Sequence, residues 1–380
     1  MTRPATKVIQ AAQAASARMA DRDTPFIFDA WYVAAFTEEL GPQLMQRTLL
    51  GKRVVMFRTL DGRPVVLDDR CPHRSYPLSA SRRDGDTIVC GYHGLRFDAK
   101  GDCIEVPSQK PCPKGIGVRA YALVERGPLV WIWMGDPESA DESQLPQHDW
   151  IVDPDWEKSH GHMALGASYV RLHENLLDLT HLSFLHAATI GTPDYAGAAY
   201  DVELGDGRFA LVRSVVPTSL PPVWGKPTGL YGLNTAARIA RSEFHSAAMH
   251  EVNVKFYDSA LPAENRPQFR IRTAHLPTPE TANSTHYFVV HGRDFAQTDD
   301  DITRFMHDNL FAAFHEDVVG LALQEELLAS ADENFYEMSV VADGPAIAMR
   351  RYIKARAESE AGERAAQRAL KAPRIELANG

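Results

Sequence analysis

The chain is 380 residues long, 44% hydrophobic and 24% charged, which suits a globular protein with two or three domains and a sizeable core. Its formal net charge of −10 argues against general nucleic-acid binding. The lack of any apolar run of about 18 residues argues against a transmembrane helix, so a cytoplasmic protein with no nucleic-acid and no membrane partner is expected.

Residues 1–29 begin MTRPATKVIQAAQAASARMADRD, an Ala- and Gln-rich stretch without an apolar h-region, and predict a short helix or loose arm and not a signal peptide. From 30 to 140 the β-rich runs VVMFRT, PVVLDD, TIVC, GLRFDA and PLVWIWM alternate with the turn pieces DG, RDGD and AKGD. This predicts a small all-β domain with its own core. The acidic, Pro-bearing stretch DPESADESQLPQHDW leads into a linker placed at 141–159. Residues 160–355 predict a larger α+β unit, an antiparallel sheet flanked by helices. It has a helical segment at 170–187, the strands FALVRSVV, EVNVKFYD, QFRIRTAH and THYFVVHG, and a long helix over 301–329. The tail, 356–380, has helical composition but no clear apolar face. The fold class is therefore α+β, and no internal repeat or low-complexity tract interrupts it.

All four cysteines, Cys71, Cys90, Cys103 and Cys112, fall within 42 residues. Clustering of this kind in a reducing compartment points to metal or redox chemistry before crosslinking. Cys71-x-His73 is followed after sixteen residues by Cys90-x2-His93. Two thiolates and two imidazoles suit a [2Fe–2S] centre in which cysteines hold one iron and histidines the other. The same donors also suit tetrahedral zinc, although zinc fingers usually pair Cys with Cys and His with His. Cys103 and Cys112 remain as buried small residues or free thiols.

A second group is Asn175-x2-Asp178-x2-His181-x4-His186, within HENLLDLTHLSFLH. Two His and one carboxylate on one face of a metal leave positions open for dioxygen, as in mononuclear Fe(II) oxygenases. His181 and His186 would sit about 500° apart on an ideal helix, so both reach one metal only if the helix ends or distorts between them. A distant carboxylate would complete the set. On the 301–329 helix, Leu310, Phe314, Asp317, Leu321 and Leu328 form an apolar stripe in which Asp317 is the one charge. An Arg or a helix N-terminus would be the structural alternative for satisfying it, and Glu316 is the neighbouring rival, pointing off the stripe.

The loops CPHRSYPLS and CGYHGLRFDAKGDC resemble the two cluster-binding loops of Rieske oxygenases, and the downstream VPSQ and VWIWMGDPE are similar to that family's continuation. Leu95 stands where many members have Trp, and a subset related to the aromatic O-demethylases has Leu. ENLLDLTHLSFLH resembles the catalytic-domain motif of the vanillate and dicamba O-demethylase branch, and FHEDVVGLALQEE resembles the segment carrying its iron-binding Asp, which maps onto Asp317.

The resemblance implies a terminal oxygenase with a Rieske [2Fe–2S] cluster on Cys71, His73, Cys90 and His93, and a mononuclear Fe(II) on His181, His186 and Asp317. It further implies O2 as co-substrate and electrons from NAD(P)H through a ferredoxin, a ferredoxin reductase or both. The chain would form a head-to-tail homotrimer in which Asp178 bridges His181 to His93 of a neighbouring copy, with Asp178 and Asn175 as catalytic residues. HLPTPETANSTHYF resembles the pocket-side strand of the dicamba-type enzymes, where His275 would contact a small aromatic substrate. Oxidative O- or N-dealkylation is the reaction expected, with ring hydroxylation or cis-dihydroxylation as the alternative. A non-catalytic iron–sulfur carrier would leave Asp178, His181, His186 and Asp317 unexplained. Residues 71–120 carry eight Lys/Arg against five Asp/Glu, a local excess that would steer an acidic electron donor or be an ordinary solvated surface.

Overall fold

A computed structural model describes residues 6–205, 207–332 and 335–371. The N-terminal third starts with the helix α1 (Thr6–Ser16). It continues with the strands β1 (Trp31–Phe36), β2 (Met45–Leu49), β3 (Lys52–Arg58), β4 (Pro64–Asp68), β5 (Arg82–Asp84), β6 (Thr87–Val89), β7 (Arg96–Phe97), β8 (Cys103–Glu105), β9 (Leu123–Arg126) and β10 (Leu129–Trp133). These make three small sheets, ordered β1-β10-β9, β2-β3-β4 and β5-β6-β7-β8. Val55, Phe57, Leu67, Leu78, Ile88 and Phe97 form a core that also takes in Cys71 and Cys90.

That core is separate, but the domain around it is not. β1 and β10 are buried on both faces, which is why WYVAAF and LVWIW read as continuous apolar runs without alternation. Tyr32, Ala34, Val130 and Ile132 point one way, into a core shared with Met349 and Ile353. Trp31, Val33, Trp131 and Trp133 point the other way, against Met249, Leu276 and Phe288 of the larger unit. Truncating one such indole to Ala would cost about 3–5 kcal/mol. The β2–β3 turn adds a polar clasp. Leu50, at φ 48, and Gly51, at φ 71, donate their N–H groups to Pro279 O (2.7 Å) and Glu280 O (2.8 Å).

The larger unit comprises β11 (Glu157–Leu165), α2 (Tyr169–Leu177), β12 (Tyr200–Leu204), β13 (Phe209–Thr218), α3 (Pro222–Thr228), β14 (Ala236–Ser246), β15 (Met249–Asp258), β16 (Phe269–Thr281), β17 (Ser284–Arg293), α4 (Asp300–Ala329) and α5 (Gly344–Lys371). Its seven strands pair antiparallel in the order β11-β17-β16-β15-β14-β13-β12. α4 starts where Asp299 accepts from Ile302 N (3.0 Å), with Asp300 and Asp301 in its first turn. No helix among the described residues is long and apolar enough to cross a membrane.

Three segments differ from the sequence reading. The stretch placed as a linker buries Leu145, Trp150 and Ile151 in the core between the two units, and β11 begins inside it. The tail is the second half of α5, whose thin face of Ala346, Met349, Ile353 and Ala357 is fully buried; residues 372–380 lie outside the described residues. The helical segment 170–187 is also shorter than expected, since α2 stops at Asp178.

Candidate active site

Each Cys/His pair sits in the same kind of loop. In the first, Cys71 N donates to Tyr76 O (2.9 Å) and Ser75 N to Cys71 O (2.9 Å); in the second, Cys90 N donates to Leu95 O (2.8 Å) and Gly94 N to Cys90 O (3.0 Å). Both closures need a left-handed residue four positions after the cysteine, supplied by Ser75 (φ 58) and Gly94 (φ 75). Arg70 Nη2 donates to Ser75 Oγ (2.8 Å), helping hold the strained turn. The result is two buried thiols, close enough for Cys90 to be a hydrogen-bond partner of Cys71, beneath two exposed imidazoles with ring centroids 4.5 Å apart. Two thiols at one end and two imidazoles at the other fit a binuclear cluster. Cys103 and Cys112 pack in or against the same core, with sulfurs 3.9 Å from one another. Burial, reinforced by Cys112, pushes the Cys103 thiol up to about 11.

The second centre is built at the end of α2. The helix terminates at Asp178, whose extended backbone (φ −108, ψ 102) breaks the helical path, and His181 lies in the following 3-10 turn, Thr180–Ser183. This break resolves the divergence of an unbroken helix: the rings of His181 and His186 come to 5.1 Å between centroids. The chain after His186 doubles back so tightly that a Cβ on Gly191 would lie 1.7 Å from Leu182 O. α4 brings in Asp317, whose Oδ1 is 3.1 Å from His186 Nε2 and 3.7 Å from His181 Nε2. One donor atom from each of the three lies within 4.8 Å of the others, a two-His, one-carboxylate set that fits Fe(II).

The groups around these three hold them in place. Asn175 Nδ2 donates to Asp317 Oδ1 (3.0 Å), so among the described residues Asp317 is satisfied by the centre itself and by neither an Arg nor a helix N-terminus. Glu316 Oε2 lies 2.6 Å from His186 Nδ1 and accepts from Thr189 Oγ1 (2.8 Å). The two adjacent acids therefore serve opposite nitrogens of one imidazole. Burial opposes a charged His186, but Asp317 and Glu316 outweigh it and raise its pKa. Asp178 Oδ1 accepts from Thr180 N (2.8 Å) and Thr180 Oγ1 (2.5 Å), while Oδ2 is 3.9 Å from His181 Nδ1. Burial disfavours the Asp178 carboxylate, yet its His181 and Thr180 partners hold its pKa below the usual range.

A cavity opens against this centre, walled by Leu179, Ile190, Val254, Ile271, Leu310 and Phe314, with Asn175 and the three donors on its edge. His275 is part of its wall, buried, with Nδ1 2.5 Å from Tyr287 Oη; burial pulls its pKa down to about 3. Arg238 also lines the cavity and was not singled out from sequence. Its signal was present, because β14 alternates Ala236, Arg238 and Ala240 on its buried face, a large cation between two small residues.

A thiol–imidazole loop pair joined in one chain to a two-His, one-carboxylate site beside an apolar cavity defines the class of Rieske-type non-haem iron oxygenases. Comparison with known proteins agrees. Residues 30–122 match the Rieske [2Fe-2S] domain, and residues 165–359 match the vanillate O-demethylase oxygenase C-terminal domain. The iron–sulfur subunit of the toluene-4-sulfonate monooxygenase system of Comamonas testosteroni is 31% identical over 81% of this chain and 90% of that one. The oxygenase component of dicamba O-demethylase from Stenotrophomonas maltophilia is 33% identical over 73% of this chain and 81% of its own. A crystal structure of dicamba monooxygenase bound to 3,6-dichlorosalicylic acid superposes with a TM-score of 0.83, at 29% identity, over 89% of this chain and 99% of that one. The chain belongs to the vanillate O-demethylase oxygenase family and is a Rieske non-haem iron monooxygenase.

Proposed function

We propose that this oxygenase removes an alkyl group from the oxygen or nitrogen of a small aromatic substrate held in the cavity beside His181, His186 and Asp317. The observation that carries this reading is the direct contact of a cavity walled largely by apolar side chains with a two-His, one-carboxylate set. Cys71, Cys90, His73 and His93 hold the cluster, and His181, His186 and Asp317 hold the second iron. When bound, the cluster supplies electrons and the iron activates dioxygen. In the net reaction one oxygen atom enters a C–H bond of the alkyl carbon. The other leaves as water with two electrons and two protons, and the hemiacetal or hemiaminal collapses to a phenol or amine plus an aldehyde.

The chain's own residues prepare that chemistry. Asn175 fixes one oxygen of Asp317, and Glu316 fixes the ring plane of His186. Leu179, Ile190, Leu310 and Phe314 exclude water, and His275, neutral at physiological pH, offers a polar contact to the substrate. Electrons come from NAD(P)H through a ferredoxin, a reductase or both. The division into a 30–140 cluster domain and a 160–355 iron domain is part of this reading, as is a cytoplasmic setting that keeps the four cysteines free.

A homotrimer completes it. Asp178 keeps part of its carboxylate open to solvent, beside a surface where Phe184 is 77% and Val341 90% exposed. Apolar groups this exposed around a charged residue mark a surface that another chain covers. The tip of the cluster domain, with Tyr92 60% exposed next to His93, suits that role, and a head-to-tail contact that closes gives a ring.

The test is metal content followed by a product assay. More iron than acid-labile sulfide, and aldehyde released from a panel of methoxy- and N-alkyl-aromatics, supports the reading. Equal iron and sulfide would indicate a carrier, and a hydroxylated ring with its alkyl group retained would indicate the ring hydroxylase.

A further inference from the structure

Two of the four cysteines are taken by the cluster, which leaves Cys103 and Cys112 as the thiols without an assigned use. Their sulfurs lie 3.9 Å from one another. Cys103 sits in β8, buried in the core that also holds Cys71 and Cys90. Cys112 is partly exposed and packs against that core, with its Sγ 3.2 Å from Cys103 O as well. Packing alone does not require the two spare sulfurs of 380 residues to face each other, since any small apolar side chain fills such a gap.

The loop that carries Cys112 has a firm base and a loose tip. At the base, Cys103 N donates to Ile116 O (3.0 Å) and Val118 N to Gly101 O (2.8 Å). From Pro107 to Gly115, one backbone–backbone hydrogen bond forms among the described residues, Gln109 N to Val106 O at 3.2 Å. The tip nevertheless reaches the cluster site. Val106, Pro107, Ser108 and Gln109 line the cleft beside His73 and His93. Pro107 packs so closely on the second cluster loop that a Cβ on Gly94 would lie 3.0 Å from its Cγ. Gly94, at φ 75, is the residue whose turn closes the loop holding His93.

We propose that Cys103 and Cys112 form a reversible, peroxide-driven disulfide that clamps the 104–111 loop onto the second cluster loop. Peroxide is the two-electron reduction product of dioxygen, which this enzyme handles together with electrons. Cys112, the more exposed thiol, reacts first. Its sulfur attacks one peroxide oxygen and the O–O bond breaks, leaving a sulfenic acid and one water. Cys103 Sγ then attacks Cys112 Sγ. The S–O bond breaks, and the departing hydroxide leaves as water with the Cys103 proton. Two electrons thus pass from two thiols to one peroxide, giving one disulfide and two waters. Burial, which pushes Cys103 up to about 11, makes it a poor first nucleophile but leaves it beside its target for the second step. Closing the gap from 3.9 Å to the roughly 2 Å of a disulfide takes rotation of Cys112, in a loop that few hydrogen bonds restrain. A closed ring removes freedom from the open loop, so Pro107 stays on Gly94 and the cluster is shielded while peroxide persists. A thiol reductant reopens the pair.

The experiment treats the holoprotein with graded hydrogen peroxide and follows the cluster by its visible absorbance. Chains are then denatured, alkylated and weighed by mass spectrometry. With cluster absorbance retained, alkylated thiols are expected to fall from four to two. A digest should yield one peptide pair linking Cys103 to Cys112, which dithiothreitol separates. Four alkylated thiols, over-oxidised Cys112 without a link, a link to Cys71 or Cys90, or loss of the cluster before any link forms overturns the proposal. The clamp has its own readout, the release of cluster iron to a chelator. Release is expected to be about 10-fold slower from the oxidised than from the reduced wild type, and oxidation should give Cys112→Ala no such protection. Equal release from oxidised and reduced wild type, or the same protection in Cys112→Ala, overturns the clamp. Cys103→Ala is the second variant, and if neither variant folds, the wild-type thiol count and release ratio decide.

Discussion

Glu316 Oε2 sits 2.6 Å from His186 Nδ1, and Thr189 Oγ1 donates to the same carboxylate oxygen. A carboxylate on the far nitrogen fixes the imidazole's tautomer and plane, so that Nε2 stays aimed at the metal position. Glu316→Ala should therefore weaken Fe(II) affinity by about 10- to 100-fold, with the cluster spectrum unchanged and Glu316→Gln intermediate. Fe(II) titration of the chelator-stripped protein measures this, and wild-type affinity in Glu316→Ala would remove Glu316 from the site. This residue also shows where sequence stops being informative. The Cys71/His73 and Cys90/His93 pairs are local loops whose donors and turn residues lie within six positions of each other. Glu316 and Arg238 gain their meaning from partners more than 40 positions away, Glu316 through His186 and Arg238 through Ile190. The stripe of α4 predicted that Asp317 would be buried; only the fold shows that Glu316, off the stripe, reaches the same histidine.

The same limit appears among the secondary-structure elements. The strands β13 to β17 were readable as β-rich runs, although β16 and β17 are buried on both faces over residues 273–279 and 287–293. The face of α5 was not, since two of its four inward residues are alanines and long charged side chains surround them. Its work is partly polar. Buried Glu360 accepts from Phe28 N (2.7 Å) and Asp29 N (3.1 Å), and Arg364 Nε donates to the same oxygen (2.9 Å). The C-terminal helix thus pins the strand entry at β1, across more than 330 positions of sequence. Glu360→Ala leaves two backbone donors short of their acceptor and should lower stability by about 1–3 kcal/mol. Thermal melting of the holoprotein measures it, and an unchanged midpoint would show that water replaces the carboxylate without cost.

At the scale of the whole molecule, the site is open where the proposed trimer would close it. Asp178 uses one oxygen on Thr180 and turns the other toward His181 Nδ1 at 3.9 Å, too long for a good hydrogen bond. A second imidazole approaching from a neighbouring copy would find that oxygen still able to accept. Asp178→Asn keeps the size and one carbonyl oxygen but loses the charge that can accept from two imidazoles at once. Metal content should stay full, because Asp178 is outside the donor set of His181, His186 and Asp317. In single turnover, with the cluster chemically reduced and substrate and oxygen present, reoxidation of the cluster should slow sharply. Normal reoxidation at full metal content would show that Asp178 is not the bridge, and loss of the mononuclear iron would make it a ligand or a structural residue. Mixing Asp178→Asn chains with His93→Ala chains tests the assembly independently. In a head-to-tail ring, some sites then combine an intact Asp178 from one chain with an intact cluster from another, so activity partly returns. Verified mixed trimers without any recovery would place the transfer within a single chain.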